Sequence, residues 1–183
     1  PDSNFKKEYE KYKYLWATDI GTAFADFVEN ARQEGPGGLI LYDLPAFDEE
    51  ITKYHDVLAE ITALKPMTDI GWLRINSQPI KQALSTWVTK WTYQYTEFLH
   101  NHVVNELRNL NNFINVTDKG LDSEVADNDN AALMGVMSHI RNVRKKMDSM
   151  SEMFAPLRDI VQMLKGHGSQ VEGLIGEPPV SVQ

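Results

Sequence analysis

Hydrophobic residues recur at intervals of three and four along nearly the whole chain. In an α-helix this spacing gathers side chains into one stripe, which the helix buries against its neighbours. One such stripe contains Phe5, Tyr9, Tyr12, Trp16, Ile20, Ala23 and Phe27, and the next contains Phe47, Ile51, Tyr54, Leu58 and Ile61. The glycine-rich segment 34–38 should end the first helix, and Pro45 and Pro66 should bracket the second.

The segment 79–116 predicts one long central helix, which would span roughly 55 Å at ~1.5 Å per residue. Pro79 suits its first turn, and Ser77 is a favourable N-cap. Its apolar stripe runs through Ile80, Leu84, Trp87, Trp91, Tyr95, Phe98, His102, Leu107, Leu110 and Phe113. The preceding segment 67–78 has no sustained stripe, so it predicts a loop held in place by Trp72.

Two more helices are predicted, over 133–150 and 153–168, and Pro156 would lie in the first turn of the second. No alternating run is long enough to predict a strand. The sequence therefore predicts an all-α fold, an elongated antiparallel helical bundle of about five helices with one long central helix. Residues 1–168 would form the bundle and 169–183 a linker or the start of a further segment. The chain also has the character of a fragment of a longer protein.

Trp87 and Trp91 are four residues apart, so they should lie on the same face of the long helix. If that face were exposed it would carry a large apolar patch, and burial is the more favourable arrangement. The predicted structural core consists of Trp16, Phe47, Ile51, Tyr54, Leu58, Trp72, Leu84, Trp87, Trp91, Phe154 and Leu157.

Composition narrows the classes of function. The net charge of -8 argues against a nucleic-acid partner, which would favour a basic surface. No apolar run approaches the ~20 residues that span a bilayer, so we expect no membrane partner. The absence of cysteine excludes disulfides and thiolate metal sites.

Glu97 and His100 form a Glu-x-x-His pair, which in di-iron helical bundles supplies two ligands from one helical face. Such a site needs a second copy of the motif, and no other histidine has a glutamate three residues before it. His102 is closer to the apolar stripe and reads as a residue at the edge of the core. We expect no metal, no cofactor and no catalytic residue.

Three further patterns have structural explanations. The segment 127–130 resembles a calcium loop but has Ala132 where the loop requires glycine, so it reads as a helix cap. The segment 35–38 lacks the lysine and hydroxyl residue of a phosphate-binding loop. Asn115 begins a glycosylation sequon, which matters only in a secreted protein.

A basic cluster of Arg141, Arg144, Lys145 and Lys146 is the one notable charge feature. It is either a solvated helix face that pairs with nearby acids or a docking site for an acidic partner.

Three segments in this order resemble dynein heavy chains. They are FDEEITKYHDVLAEI at 47–61, IGWLRINSQPIKQALSTWVTKW at 70–91 and MFAPLRDIVQMLKGHG at 153–168. The resemblance is to the tail just before the linker that leads into the motor ring, and it covers nearly the whole chain. The sequence of these segments is closer to axonemal than to cytoplasmic heavy chains, and it suggests an outer-arm chain.

The resemblance implies a parent protein that is an ATP-driven microtubule motor of the ciliary or flagellar axoneme. This segment would be non-catalytic: a rigid helical spacer that transmits force between the motor and the cargo-anchoring end. Its implied partners are dynein intermediate and light chains, other heavy chains and the remainder of its own heavy chain. The alternative from the residues alone is a stand-alone, spectrin-like helical protein-binding module. A metal-dependent bundle built on Glu97 and His100 is a third hypothesis.

Overall fold

A computed structural model describes residues 7–35, 39–121 and 130–167 of the chain. The helices are α1 (Tyr14–Ala17), α2 (Ile20–Ala31), α3 (Leu44–Ala63), α4 (Gln78–Leu121) and α5 (Asn130–Gly166). The strands are β1 (Arg32–Glu34), β2 (Ile40–Tyr42), β3 (Met67–Ile70) and β4 (Leu73–Asn76), which form two sheets of two strands each. Helices hold most of the described residues, and the prediction of an all-α fold is confirmed. The predicted linker at 169–183 and the predicted cap at 127–129 lie outside the described residues.

The chain divides into two compact units. The first comprises residues up to Arg32 together with Tyr42–Glu97, and the second comprises Gln33–Leu41 together with the residues from Phe98 onward. Helix α4 contributes its first half to one unit and its second half to the other. The predicted long helix is confirmed as continuous over the 44 residues Gln78–Leu121, and it runs through Gly120.

The first predicted helix is interrupted. Residues 7–10 are helical, α1 ends at Ala17, and a new helix, α2, begins after Asp19. The Asp19 carboxylate accepts hydrogen bonds from the backbone N–H of Thr22, at 3.0 Å, and from its hydroxyl, at 2.6 Å. An aspartate in this position satisfies N–H groups that a new helix would otherwise leave unpaired, which explains why the helix restarts there.

A β-hairpin replaces the predicted loop at 67–78. Asp69 pairs with Arg74 and Ile70 with Leu73, and the two residues between the strands are Gly71 and Trp72. Gly71 has φ +63, a conformation that other residues seldom adopt, and short hairpin turns require it. The four-residue strands were too short for their alternation to be recognised.

The long helix is capped differently from the prediction. Ser77 accepts the first helical hydrogen bond from the backbone N–H of Lys81 through its carbonyl, but its buried hydroxyl has no partner among the described residues. The side-chain oxygen of Asn76 instead accepts a hydrogen bond from the N–H of Gln78, at 2.9 Å.

The two predicted C-terminal helices are one. Helix α5 is continuous over 37 residues, with Pro156 in its interior and not in a first turn. Proline in a helix interior removes one backbone hydrogen bond, and packing on the neighbouring helix must outweigh that loss. Met153 and Leu157, on either side of the proline, are both buried and contribute such packing.

In the second unit, α5 runs antiparallel to the second half of α4. Gly120 faces His139 so closely that a Cβ on Gly120 would lie 2.7 Å from the imidazole. Seven residues back along α4 is Phe113, and its ring centre lies 4.7 Å from the Nζ of Lys146, seven residues forward along α5. Moving seven residues toward the N-terminus of α4 therefore corresponds to moving seven residues toward the C-terminus of α5.

The residues through which the two helices face each other follow a coiled-coil repeat, and we call this line of residues the seam. On α5 the seam alternates steps of four and three through Ala132, Val136, His139, Val143, Lys146, Met150, Met153, Leu157, Ile160 and Leu164, all buried or half-buried except Lys146. An average step of 3.5 residues keeps one face turned toward a partner helix. Glu106 and Met153, the next pair in register, line one small cavity.

Gly120→Ala should stabilise the protein by less than the gain of about 0.5–1 kcal/mol that glycine-to-alanine changes in helices normally give. The added methyl group would force the His139 ring to move. The matched control is Gly135→Ala in α5, where no atom lies within 4 Å of the new Cβ, and it should stabilise. Urea denaturation of both variants measures the difference.

Repeating Gly120→Ala in a His139→Ala background should restore most of the stabilisation, because the contact is gone. Equal gains from Gly120→Ala and Gly135→Ala in the wild-type background would contradict the pairing.

Candidate functional site

The interior of the first unit is a cluster of aromatic rings around Tyr95. Phe24 and Phe27 meet this tyrosine edge to face, each with a centroid distance of 5.1 Å. Tyr54 lies on another side of it, with ring centres 5.9 Å apart, and stacks on Trp91 with centres 5.5 Å apart. Edge-to-face and offset-stacked rings attract one another beyond the gain from burying their area. Helices α2, α3 and α4 are therefore held by one aromatic cluster.

Trp91 joins this cluster to α1. Its indole is 3% exposed, and its Nε1–H donates a hydrogen bond of 3.0 Å to the backbone carbonyl of Leu15. Leu15 is itself fully buried. Because a buried carbonyl without a partner is costly, this bond fixes which residue of α1 can face α4.

Tyr54 and Tyr95, the two tyrosines of the cluster, stay uncharged near neutral pH. Burial raises the pKa of Tyr95 to about 12, with Glu50 adding to the rise, so its phenol stays neutral. Burial likewise raises the pKa of Tyr54 far above its ordinary value. Neither hydroxyl is suited to serve as a base near neutral pH.

Lys81 secures the end of α3. Its ammonium group donates hydrogen bonds to the backbone carbonyls of Thr62 and Leu64, at the C-terminal end of that helix. These carbonyls have no partner within the helix, and the helix dipole favours a cation there. This lysine of the tryptophan-rich segment is therefore structural.

The other tryptophans differ from Trp91. Trp87 is half-buried, and the Nζ of Lys90 lies 4.7 Å from the centre of its ring. Trp72 is 95% exposed at the tip of the β3–β4 hairpin, so the prediction that it belongs to the core is wrong. The hairpin turn projects it, whereas a loop could have folded it inward.

Two more core predictions are wrong. Trp16 is 44% exposed because Leu15, one residue earlier and about 100° around the helix, takes the buried position. Phe154 is 46% exposed because the seam of α5 passes through Met153 and Leu157. Of the remaining predicted core residues, Phe47, Ile51, Tyr54, Leu84, Trp91 and Leu157 are buried, and Leu58 and Trp87 are half-buried.

The Glu97 and His100 pair does not gather further ligands. Within the described ranges, no group of three or more His, Cys, Asp or Glu side chains is placed to hold a metal ion. Glu97 instead accepts a hydrogen bond from the hydroxyl of Tyr93, which raises the pKa of that tyrosine. The carboxylate therefore has a local role on its own helix.

His102 lies in the second unit beside a small cavity that is also lined by Leu39, Glu106 and Leu157. Burial lowers the pKa of His102, and the nearby negative charge of Glu106 opposes part of this shift. This agrees with the expectation of a residue at the edge of the core.

The four basic residues of α5 do not share one direction. All are exposed, but the Nζ of Lys146 lies over the ring of Phe113 in the seam. Arg144 and Lys145 are successive residues and so point about 100° apart.

In the part of the chain that the structure describes, no helix is long and apolar enough to cross a membrane.

These features describe a helical scaffold whose aromatic and basic side chains serve packing and surface contacts. No family model matches the chain. It is 29% identical to the dynein beta chain of the flagellar outer arm of Chlamydomonas reinhardtii, in an alignment covering 94% of this chain and 4% of that relative. It is 30% identical to the ciliary dynein beta chain of Heliocidaris crassispina and 26% identical to dynein axonemal heavy chain 17 of Mus musculus, each over 91% of this chain and 4% of the relative.

The resemblance to dynein heavy chains is thereby confirmed, and the chain is related over nearly all of its length to a segment of axonemal heavy chains. It spans about 4% of the length of these relatives.

Trp91→Ala should lower the free energy of unfolding by about 3–5 kcal/mol, because it empties a buried site and leaves the Leu15 carbonyl unpaired. Trp91→Phe should cost less, since it keeps most of the apolar bulk and loses only the donor. The matched control, Trp72→Ala, should change stability by no more than about 0.5 kcal/mol. Chemical denaturation followed by circular dichroism measures all three, and similar losses at positions 91 and 72 would contradict the arrangement.

The stability of the protein should depend on the protonation of His102. Its pKa is lower in the folded state than the ordinary value of 6.5, so the unfolded chain binds the proton first as the pH falls. Stability should be unaffected by this residue above about pH 7.5 and should decline as the pH falls through about 6.5 toward the folded-state pKa.

Denaturation curves across this pH range test the linkage. His102→Gln should remove part of the decline, whereas the exposed neighbour change Asn101→Gln should leave it intact. Glu106→Gln should steepen the decline, because the carboxylate favours the protonated imidazole. An unchanged pH profile in His102→Gln would refute the assignment.

Proposed function

We propose that this chain is a non-catalytic structural segment of the tail of an axonemal dynein heavy chain, located just before the linker that leads into the motor. Its parent would be an ATP-driven microtubule motor of cilia or flagella. The observation that carries the proposal is the relationship over 91% to 94% of the chain to segments that make up 4% of axonemal heavy chains. The segment would transmit force between the motor and the cargo-anchoring end.

The physical support comes from α4. A helix of 44 residues with an unbroken hydrogen-bond ladder resists extension along its axis. Its first half is anchored by Trp91, Tyr95 and Lys81, and its second half pairs with α5 along the seam. Each half of the helix is therefore fixed by packing of its own, as a force-transmitting element requires.

The partners follow from the same proposal. They would be the remainder of the same heavy chain, other dynein heavy chains, and dynein intermediate and light chains. The relatives are named as axonemal, flagellar or ciliary, which supports a location in the cytoskeleton of the axoneme. The proposed bundle of residues 1–168 would hold the mechanical role, and 169–183 would connect it to the next segment.

A stand-alone, spectrin-like binding module is the second candidate. The antiparallel pairing of α4 with α5, with a coiled-coil repeat, favours it. Such a module would act by presenting helix faces to a partner and would need no motor.

The two candidates separate in a full-length heavy chain that contains this segment. Six glycine and serine residues inserted after Asn101 would break the helical ladder of α4. Microtubule gliding velocity should then fall by at least about half, while ATP hydrolysis in solution stays near normal, because a flexible joint dissipates the stroke.

The matched control carries the same insertion between Gly71 and Trp72, at an exposed hairpin turn, and should glide normally. Equal gliding by both insertions would refute the force-transmitting role. The isolated chain should also show no heat of binding with Mg-ATP in calorimetry, and saturable binding would contradict the non-catalytic assignment.

A further inference from the structure

A stripe of exposed apolar side chains follows one flank of the α4–α5 pair in the second unit. Its members are Leu107, Ile114 and Leu121 on α4, and Leu133, Ile140, Met147 and Phe154 on α5, each between 42% and 63% exposed. On each helix they recur every seven residues, and each directly follows a seam residue. They therefore occupy one position of the coiled-coil repeat on both helices.

Both halves of the stripe lie on the same side of the pair. The two helix axes define a plane, and each flank of the pair is one side of that plane. A half-turn about an axis perpendicular to the plane exchanges two antiparallel helices, and equivalent positions of the repeat remain on the same side. The contacts of Gly120 with His139 and of Phe113 with Lys146 define this relation. The residues that follow them, Ile114 and Met147 among others, must then border one groove.

A helix pair with apolar residues at this third position of the repeat is suited to a bundle of three helices. Two helices bury only the two seam positions, whereas a third buries the flanking position as well. A continuous apolar stripe along soluble helices is a usual mark of an interaction site.

The edges of the groove differ in charge. On α5 the positions that border the stripe on its outer side are Met137, Arg144, Ser151 and Arg158, all exposed, and the two charged ones are arginines. On α4 the corresponding positions are Asn111 and Asp118. The α5 edge is therefore basic, although the whole chain has a net charge of -8.

We propose that this flank seats a single amphipathic helix of a partner protein, with its apolar stripe in the groove and acidic side chains along the α5 edge. The apolar groove provides the burial, and Arg144 and Arg158 select the acidic edge and the orientation. A second copy of this chain packed with α5 against α5 would oppose these arginines with their own counterparts, and the α4 edge of a second copy offers one acid, Asp118, where an acidic partner helix offers several. The proposal stands on the geometry of the pair and holds whether or not the chain is a motor segment.

Of the four basic residues singled out in the sequence, the geometry assigns Arg144 to this surface. Lys145 points away from the groove, and Lys146 lies in the seam over Phe113. Adjacent residues with the same charge thus give a matched pair for experiment.

The test uses a fluorescent synthetic peptide of about three heptads with leucine at the two seam positions and glutamate along one edge. Fluorescence anisotropy should show saturable binding to the 183-residue chain. A peptide with lysine in place of glutamate should bind at least about tenfold more weakly. Equal binding of the two peptides, or no binding of the acidic one, would overturn the proposal.

Variants of the chain locate the site. Met147→Glu and Ile140→Glu should each weaken the acidic peptide by about tenfold or more, and their far-UV circular dichroism should match the wild type because both positions are exposed. Arg144→Glu should weaken it by about fivefold, with a loss that shrinks at high salt, whereas Lys145→Glu should stay within about twofold.

Equal losses at positions 144 and 145 would show that only net charge matters, and the assigned edge would be wrong. Sedimentation analysis gives the remaining outcome. A wild-type dimer that Met147→Glu converts to a monomer would show that a second copy occupies the groove, and the proposal of a separate acidic helix would fail.

Discussion

The continuity of α4 is the constraint on which the rest of the structure depends. Its first half presents Trp91 and Tyr95 to the interior of one unit, where the indole N–H satisfies the Leu15 carbonyl. Its second half presents a seam to α5 in the other unit, at a spacing fixed by the contacts at Gly120 and Phe113. Each half is held by packing of its own, and the continuous hydrogen-bond ladder of α4 is the element that the two units share.

Several titratable residues beside α4 and along it have structural roles. Burial holds Tyr95 neutral, Lys81 caps the end of α3, and Glu97 accepts a hydrogen bond from Tyr93. The exposed surface of the second unit includes apolar positions such as Ile114 and Met147 and basic positions such as Arg144. That pattern agrees with the relationship to axonemal dynein heavy chains, of which the chain represents about 4% by length.

The sequence alone predicted the features that arise from long, regular repeats. The helical class, the long continuous helix and the burial of Phe47, Ile51, Tyr54 and Trp91 all follow from apolar spacing of three and four. The short features were not predicted, because four-residue strands carry too little alternation and because Asp19 and Asn76 act through only one or two local hydrogen bonds. The seven-residue recurrence of Leu107, Ile114, Ile140 and Met147 was present in the sequence, but it gains meaning only once the seam is known.

Two of the chain's tryptophans mark the boundary between what the sequence determined and what the tertiary structure decided. Sequence determined that Trp91 would lie on an apolar helix face, because local spacing and helix geometry suffice for that. Tertiary structure decided that Trp72 stands in solvent and Trp91 in the interior, that Pro156 is accommodated within a helix, and that Arg144 and Lys145 face different surroundings. Those outcomes depend on which distant residues occupy each position, such as Leu15 against Trp91 and Met153 beside Glu106, and no local pattern specifies the distant partner.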